Sequence, residues 1–274
     1  MSYFYYACEQ SIGEMSEHTA SDWGFRFGER GTHTSRTIML DELTLLLRAA
    51  SRRASRDEYA RAVVVENCLG KETASNRELT WRRLRELYGL DQKIQLFRIF
   101  RDLWLRDQYD HALLSLLLAL ARDPLLRATA PAVLDTPFGH EFARQQMKDA
   151  LADVVGERFN SNTLDKVVRN AASSWTQSGH LKGRGRKTRQ QVEVTPVTVA
   201  YAVLLGYATG RRGHLLFETP WCAVLDADAG RLIELAWAAK RIGLLDLKQS
   251  GSIIDVSFPA MLTRGAREWS HGAY

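Results

Sequence analysis

Cysteine is scarce in this chain. Only Cys8, Cys68 and Cys222 occur, far apart, odd in number and without CxxC spacing. That pattern speaks against a disulfide framework and against a zinc site. Long apolar runs are missing too. The most apolar helical stretch, Ala112 to Ala121, is bounded by Asp110, His111, Arg122 and Asp123. It falls well short of the roughly 18 residues that a membrane span requires. The opening MSYFYYACEQSIGEMSEH lacks the basic start and apolar centre of a signal peptide. A cytoplasmic protein without a membrane partner is the expectation.

Catalytic signatures are also lacking. No GxxxxGK[ST], GxGxxG, HExxH or GxSxG motif is present. The histidines are scattered. His140 and Glu141 are adjacent, so they cannot share a helix face. His111 follows Asp107 by four positions, a spacing expected to give a surface salt link. Asp226 and Asp228, in LDADAG, read as a turn with a helix cap. A non-enzymatic protein with no metal and no cofactor is expected. Any active site would have to converge from distant segments.

What is present is enough apolar residue, 45 % of 274, to build real cores, and a net charge of +5. The length suits two domains or one with additions. The basic excess is clustered. Lys182, Arg184, Arg186, Lys187 and Arg189 supply five positive charges with no acidic residue between them. Arg48 to Arg85 holds ten Lys or Arg against five Asp or Glu. Clustering of this kind points to a polyanionic partner, double-stranded DNA first.

Helical periodicity begins at TSRTIMLDELTLLLRAA, with Leu40, Leu43, Leu46 and Leu47 on one face. Residues 1–36 read as an irregular arm that docks on something. SRDEYARAVVVENCL reads as a helix capped by Ser55, with Asp57 and Glu58 in its first turn. GKETAS is a turn. NRELTWRRLRELYGL follows as a helix with Asn76 as the expected cap and Gly89 as the stop. Leu79, Leu84 and Leu87 form its apolar seam, and Trp81 is expected in the core. Arg77, Arg82 and Arg83 populate its outer face and become candidate DNA contacts. Two short helices on a tight turn make a candidate helix-turn-helix. Residues 91–135 read as two packed helices with Phe97, Phe100, Leu103 and Trp104 buried. DPLLRATAPAVLDTP then reads as a break and a short connection.

NSNTLDKVVRNAASSWTQSGHL is a further helix, capped by Asn160, Ser161 or Asn162. Leu164, Val167, Val168 and Ala171 line one face, and Lys166 and Arg169 lie off it. Trp175 continues the seam and Gly179 closes it. HLKGRGRK and RQQVEVTP, with Val192 and Val194 alternating, read as the two strands of a basic wing. Gly183 and Gly185 would form its tip, and its arginines would point outward. DNA-binding candidates are therefore Arg77, Arg82, Arg83, Lys166, Arg169, Lys182, Arg184, Arg186, Lys187 and Arg189. The last part repeats the layout loosely, with a helix followed by a hairpin on SGS.

The expected fold is mainly α with small β-hairpins: helix-turn-helix and winged-helix units on a helical core. The expected divisions are the arm (1–36), a helical domain (37–135) and a winged-helix-like domain (136–274). Glu66-Asn67 ending an apolar helix, Thr73 or Ser75 in the turn, Arg82-Arg83-Leu84, and later Trp175, Gly179 and Leu181 carry a family resemblance. Across roughly residues 36 to 182 the chain resembles the BrxA family of bacteriophage-exclusion (BREX) systems. The resemblance implies a mostly helical, non-enzymatic DNA-binding component of a multi-gene phage-defence system, with other defence proteins as partners. A protein–protein adaptor of such a complex and a winged-helix transcriptional repressor are the alternatives.

Overall fold

A computed structural model of the chain describes residues 22–28, 30–106 and 111–262. The signal-peptide reading of the first residues and the pairing of Asp107 with His111 fall outside them. Among the described residues the protein is mainly helical, with two small antiparallel hairpins.

Local chemistry sets the helix starts. Helix α1 (Leu40–Ala49) buries Leu43, Leu46 and Leu47. Helix α2 (Arg56–Val64) opens with a capping box: the Ser55 hydroxyl accepts from Glu58 N–H, and the Glu58 carboxylate accepts from Ser55 N–H. Helix α3 (Ala74–Tyr88) is capped by Thr73, whose side chain accepts from Asn76 N–H. Asn76 is therefore inside the helix, not its cap. Both residues are good cap types, and the one that leaves Asn76 N–H satisfied begins the helix three residues earlier. Gly89, at φ 86°, ends it. Trp81 packs half-buried against the core.

Helix α4 (Gln95–Trp104) turns Phe97, Phe100, Leu103 and Trp104 inward. Helix α5 (His111–Arg122) is buried from Leu113 to its end. It packs on α3 and α4. The proline-rich stretch after it is not a plain connection. Pro124 and Pro131 each sit in the first turn of a short buried helix, α6 (Pro124–Ala128) and α7 (Ala130–Leu134). Proline lacks an N–H that the first turn would leave unsatisfied anyway, so here it starts helices rather than breaking them.

Helices α8 (Arg144–Val155) and α9 (Ser161–Gln177) pack on each other. Asn160 caps α9 by accepting from Thr163 N–H. Strands β1 (Leu181–Lys182) and β2 (Thr188–Arg189) follow as an antiparallel pair. A third extended segment, 139–142, lies along the other edge of β2. Gly139 N–H donates to Arg189 O at 2.8 Å, Arg189 N–H to His140 O at 2.9 Å, and Phe142 N–H to Lys187 O at 2.7 Å.

Two expectations about this region are corrected. Residues 190–195 are not a strand. Val192 N–H finds the Asp226 carboxylate at 3.3 Å in place of a strand partner. Val192 and Val194 pack half-buried against the core. Nor do all the basic residues of the hairpin point outward. In the register, Leu181 faces Arg189 and Lys182 faces Thr188. Cross-strand partners share a face. Leu181 is 2 % exposed and Arg189 1 %, while Lys182 lies in solvent.

Helix α10 (Pro196–Ala208) is buried all round from Val197, as an apolar helix without a polar face must be. Gly206 lies inside it, where an added Cβ would come within 2.8 Å of Thr219 Cγ2, so the glycine permits a close crossing. Helices α11 (Pro220–Ala223) and α12 (Ala229–Arg241) pack on α10. Asp228 caps α12 by accepting from Arg231 N–H. Strands β3 (Asp246–Ser250) and β4 (Ile253–Ser257) close the described chain as a hairpin. Ser250 pairs with Ile253, leaving Gly251 and Ser252 as a two-residue turn. Leu247, Ile254 and Val256 face the core.

One apolar cluster runs from Trp23 to Leu262. The described part of the arm is built into it. Trp23 and Phe25 are buried, and Phe25 meets Trp221 with ring centroids 5.9 Å apart. The turn Thr32–Thr34 contacts α3, α6 and α9.

Candidate nucleic-acid interface

Helix α9 presents two faces. Leu164, Val167, Val168 and Ala171 point inward, and Ser161, Asn162, Asp165, Lys166 and Arg169 are exposed. Lys166 and Arg169, three positions apart, share the outer face. Helix α8 is fastened to the start of α9 through Lys148, whose Nζ lies 2.8 Å from Asp165 Oδ1 and donates to Ser161 Oγ at 3.2 Å.

Beyond α9 the hairpin tip carries Lys182, Arg184 and Arg186, all exposed. Gly183, at φ 120°, turns the chain where an added Cβ would sit 2.1 Å from Arg186 O. Only glycine fits there. Arg186 Nε lies 3.8 Å from Glu141 Oε1, with 87 % of the arginine side chain in solvent. An exposed pair of this sort contributes little and leaves Arg186 available to a partner. Lys187 is tied down. Its ammonium donates to Thr176 Oγ1 at 2.7 Å, joining the hairpin to α9, and to Gly183 O at 3.0 Å. Burial, and then the charge of Arg144, lower its pKa.

Arg189 does not face solvent at all. Its Nε donates to Val133 O at 2.9 Å, and Nη2 is bonded to the Asp226 carboxylate. The Phe138 ring lies 5.0 Å from its guanidinium carbon. Asp226, read from sequence as a turn residue, does sit in a turn with φ 53°. Its larger role is to neutralise Arg189 inside the protein. Arg189 is thus a structural residue joining the β1–β2 hairpin to the segment before α12.

His180 belongs to the same buried cluster. Nε2 lies 2.8 Å from Val224 O and Nδ1 2.9 Å from Ser178 Oγ. Burial pulls its pKa down to about 4, against the opposing pull of Asp226. The folded protein therefore holds neutral imidazole where the unfolded chain, at about 6.5, takes up a proton. Between those values the unfolded state binds more protons, so stability falls as pH drops from about 6.5 to about 4. The full loss is about 3 kcal/mol, and His180→Gln flattens this part of a urea-midpoint profile against pH.

The other candidate contacts lie on α3. Arg82 is exposed, while Arg77 and Arg83 are half-buried. Arg83 is paired with Glu86 at 2.8 Å. The arm lies beside this end of α3: Thr32 Oγ1 donates to Glu86 Oε2 at 3.1 Å and Arg26 Nη1 to Glu86 O at 3.1 Å. Arg83 therefore opens into a cleft beside the arm, together with Arg26, Arg30 and Arg158, none of which sequence patterns single out.

Distant segments do converge in one place. His33 Nδ1 lies 2.8 Å from Asp123 Oδ2, and Nε2 lies 2.8 Å from Ser174 Oγ. Asp–His–Ser is the order of a hydrolytic triad. Here Ser174 Oγ already donates to Asn170 O at 2.9 Å and accepts from Ile38 N–H at 2.9 Å. His33 and Ser174 are 0 % exposed and Asp123 1 %. A nucleophile must reach its substrate, so this chain is a pin that fastens the arm. Asp123 also accepts from Thr32 N–H at 2.7 Å and from Leu126 N–H at 3.1 Å, capping α6. Burial raises its pKa, but His33 and these donors outweigh burial and hold the carboxyl below its ordinary value. Asp123→Ala strands all of these donors, with an expected loss of roughly 3 kcal/mol and faster proteolysis within 22–36.

Among the described residues no group of three or more His, Cys, Asp or Glu is placed to hold a metal ion, and no helix is long and apolar enough to cross a membrane. Neither a family model nor a curated protein matches the chain.

Proposed function

We propose that the protein is a non-enzymatic binder of double-stranded DNA, gripping phosphates with the outer face of α9 and the tip of the β1–β2 hairpin. The supporting observation is the order of elements around α9. A buried helical block (α5 to α7) is followed by the extended segment 139–142, then α8, α9, β1 and β2, with 139–142 on the outer edge of β2. This order and pairing support reading the region as a winged helix, with the second helix of the pair placed in the major groove as in helix-turn-helix proteins and the hairpin beside the backbone. Lys166, Arg169, Lys182, Arg184 and Arg186 are exposed on those two elements. Asn162 and Ser161 supply short polar groups at the start of α9 suited to phosphate or base edges. Arg82 on α3 is a further exposed cation. Arg83, Lys187 and Arg189 have internal partners and carry less or none of the contact.

Phosphate contact supplies most of the affinity in such a grip, and sequence preference is weak. The resemblance to the BrxA family supports a place in a BREX-type phage-defence system, acting with other defence proteins in the cytoplasm. A mobility shift of the full chain on duplex, single-stranded and RNA probes tests the DNA reading. Duplex is expected to be preferred. Equal binding of all three at high salt would contradict it.

A further inference from the structure

The arm, α3 and the start of α9 meet at one place. The turn that leads into α9, residues 158–159, shares a cleft with Arg26, Arg30 and Gly31 of the arm and with Arg83 and Glu86 of α3. The next residue, Asn160, caps α9. We propose that Arg30 of the arm and Arg82 of α3 grip the DNA strand that passes the N-terminal end of α9, opposite the strand held by the hairpin. Both contacts rest on the grip by α9 and the hairpin and add its second edge.

The length of α9 calls for such an edge. The helix has 17 residues and spans about 25 Å, against a major groove about 12 Å wide. Lying across the groove, a helix of that length ends over opposite backbones. The hairpin follows its C-terminal end, with β1 starting at Leu181, so Lys182, Arg184 and Arg186 serve one strand. At the other end Ser161 and Asn162 carry no charge, and Lys148 is already paired with Asp165 at 2.8 Å. Cations for the second strand have to come from the arm and α3.

Only some of the arginines there are available. Arg26 donates to Glu86 O at 3.1 Å, and Arg83 is paired with the Glu86 carboxylate at 2.8 Å. The Arg158 guanidinium carbon lies 4.5 Å from the Phe159 ring centre, and Arg158 has a further partner of its own. All three are engaged within the protein. Arg30 and Arg82 are exposed and have no hydrogen-bond or ion-pair partner among the described residues. Arg82 lies four positions before Glu86, so it stands one turn along the face of α3 that walls the cleft. Glu86 itself is neutralised by Arg83.

Arg30 is also held in place. It precedes Gly31, where an added Cβ would fall 2.0 Å from Asp123 Oδ1, so the arm presses directly on the buried carboxylate. Thr32 N–H and His33 Nδ1 then bond the same group at 2.7 Å and 2.8 Å. Arg30 thus stands one residue from a buried anchor, and little backbone freedom is lost when it meets a phosphate. A planar guanidinium matches phosphate oxygens in pairs.

Salt dependence on nested duplexes tests the proposal. A duplex is trimmed stepwise from either end, and affinity is measured across a salt series at each length. On the shortest duplex that the parent still binds, the five contacts of α9 and the hairpin set the log–log slope. On a duplex extended past the start of α9, the slope should steepen by about 1.8, two phosphates at about 0.9 each. The double variant Arg30→Ala, Arg82→Ala should bind the short duplex like the parent and show no steepening on the long one, with an unchanged thermal midpoint. Arg30→Lys with Arg82→Lys keeps both charges and should restore the steepening. The triple variant Lys182→Ala, Arg184→Ala, Arg186→Ala should bind both lengths more weakly and still show it. A double variant that keeps the parent's steepening overturns the proposal, as does a parent whose slope is the same at every length. A parent that binds no duplex at low salt overturns the grip by α9 and the hairpin, and these contacts with it.

Discussion

Replacing Lys182, Arg184 and Arg186 together with alanine is expected to weaken duplex binding roughly a hundredfold or more near 0.1 M salt, with no change in thermal midpoint. Each is exposed, and the Arg186–Glu141 ion pair is 3.8 Å long and solvated. Folding therefore gains little from any of them. Binding, under the proposed function, gains a great deal. Each phosphate neutralised releases condensed counterions, steepening the dependence of log affinity on log salt by about 0.9. Removing three contacts should flatten the slope by about 2.7, from about −4.5 for five contacts to about −2. The same triple variant should lose affinity on every duplex sequence alike, because backbone contacts carry no base information. A loss confined to one sequence would instead mark the hairpin as a base-reading element.

The opposite pattern is expected at Arg189, only two residues beyond Lys187. Arg189→Ala leaves the Asp226 carboxylate buried without its cation, and the expected cost is about 3–5 kcal/mol in denaturant unfolding. Asp226→Asn should cost a similar amount from the other side. Asparagine tolerates the positive φ of that turn, so lost charge, not backbone strain, is what the variant reports. Combining Arg189→Met with Asp226→Asn should recover part of the loss, since no uncompensated charge then remains inside. At temperatures where Arg189→Ala is folded, its salt slope on duplex DNA should equal that of the parent. Two arginines of one basic stretch thus separate cleanly: Arg184 changes binding and not stability, Arg189 stability and not binding.

That separation marks the limit of what the sequence makes legible. Local signals were sufficient for most helices. Ser55 with Glu58, Asn160 before the α9 seam, and the leucine face of α1 each state their element within eight residues. The SGS hairpin is likewise local. The inward turn of Arg189 is not, because its partner Asp226 lies 37 positions further on. The alternation of Leu181 and Lys182 carries the clue, since the residue opposite a buried leucine must also face inward. The docking of the arm is less legible still. His33 finds Asp123 across 90 positions and Ser174 across 141, and no periodicity links them. Arg26, Arg30 and Arg158 look like ordinary solvated cations until the arm and the α8–α9 turn bring them to Arg83. The short helices α6 and α7 are not legible in the sequence, because proline marks both breaks and first turns.

The proposed function is a phosphate grip by α9 and the hairpin tip. The most direct test is the affinity of the full chain for a duplex of fixed sequence, measured across a salt series from about 50 to 200 mM. Five contacts from Lys166, Arg169, Lys182, Arg184 and Arg186 predict a log–log slope of about −4.5. Binding that does not weaken as salt rises, or no binding at the lowest salt, would contradict it.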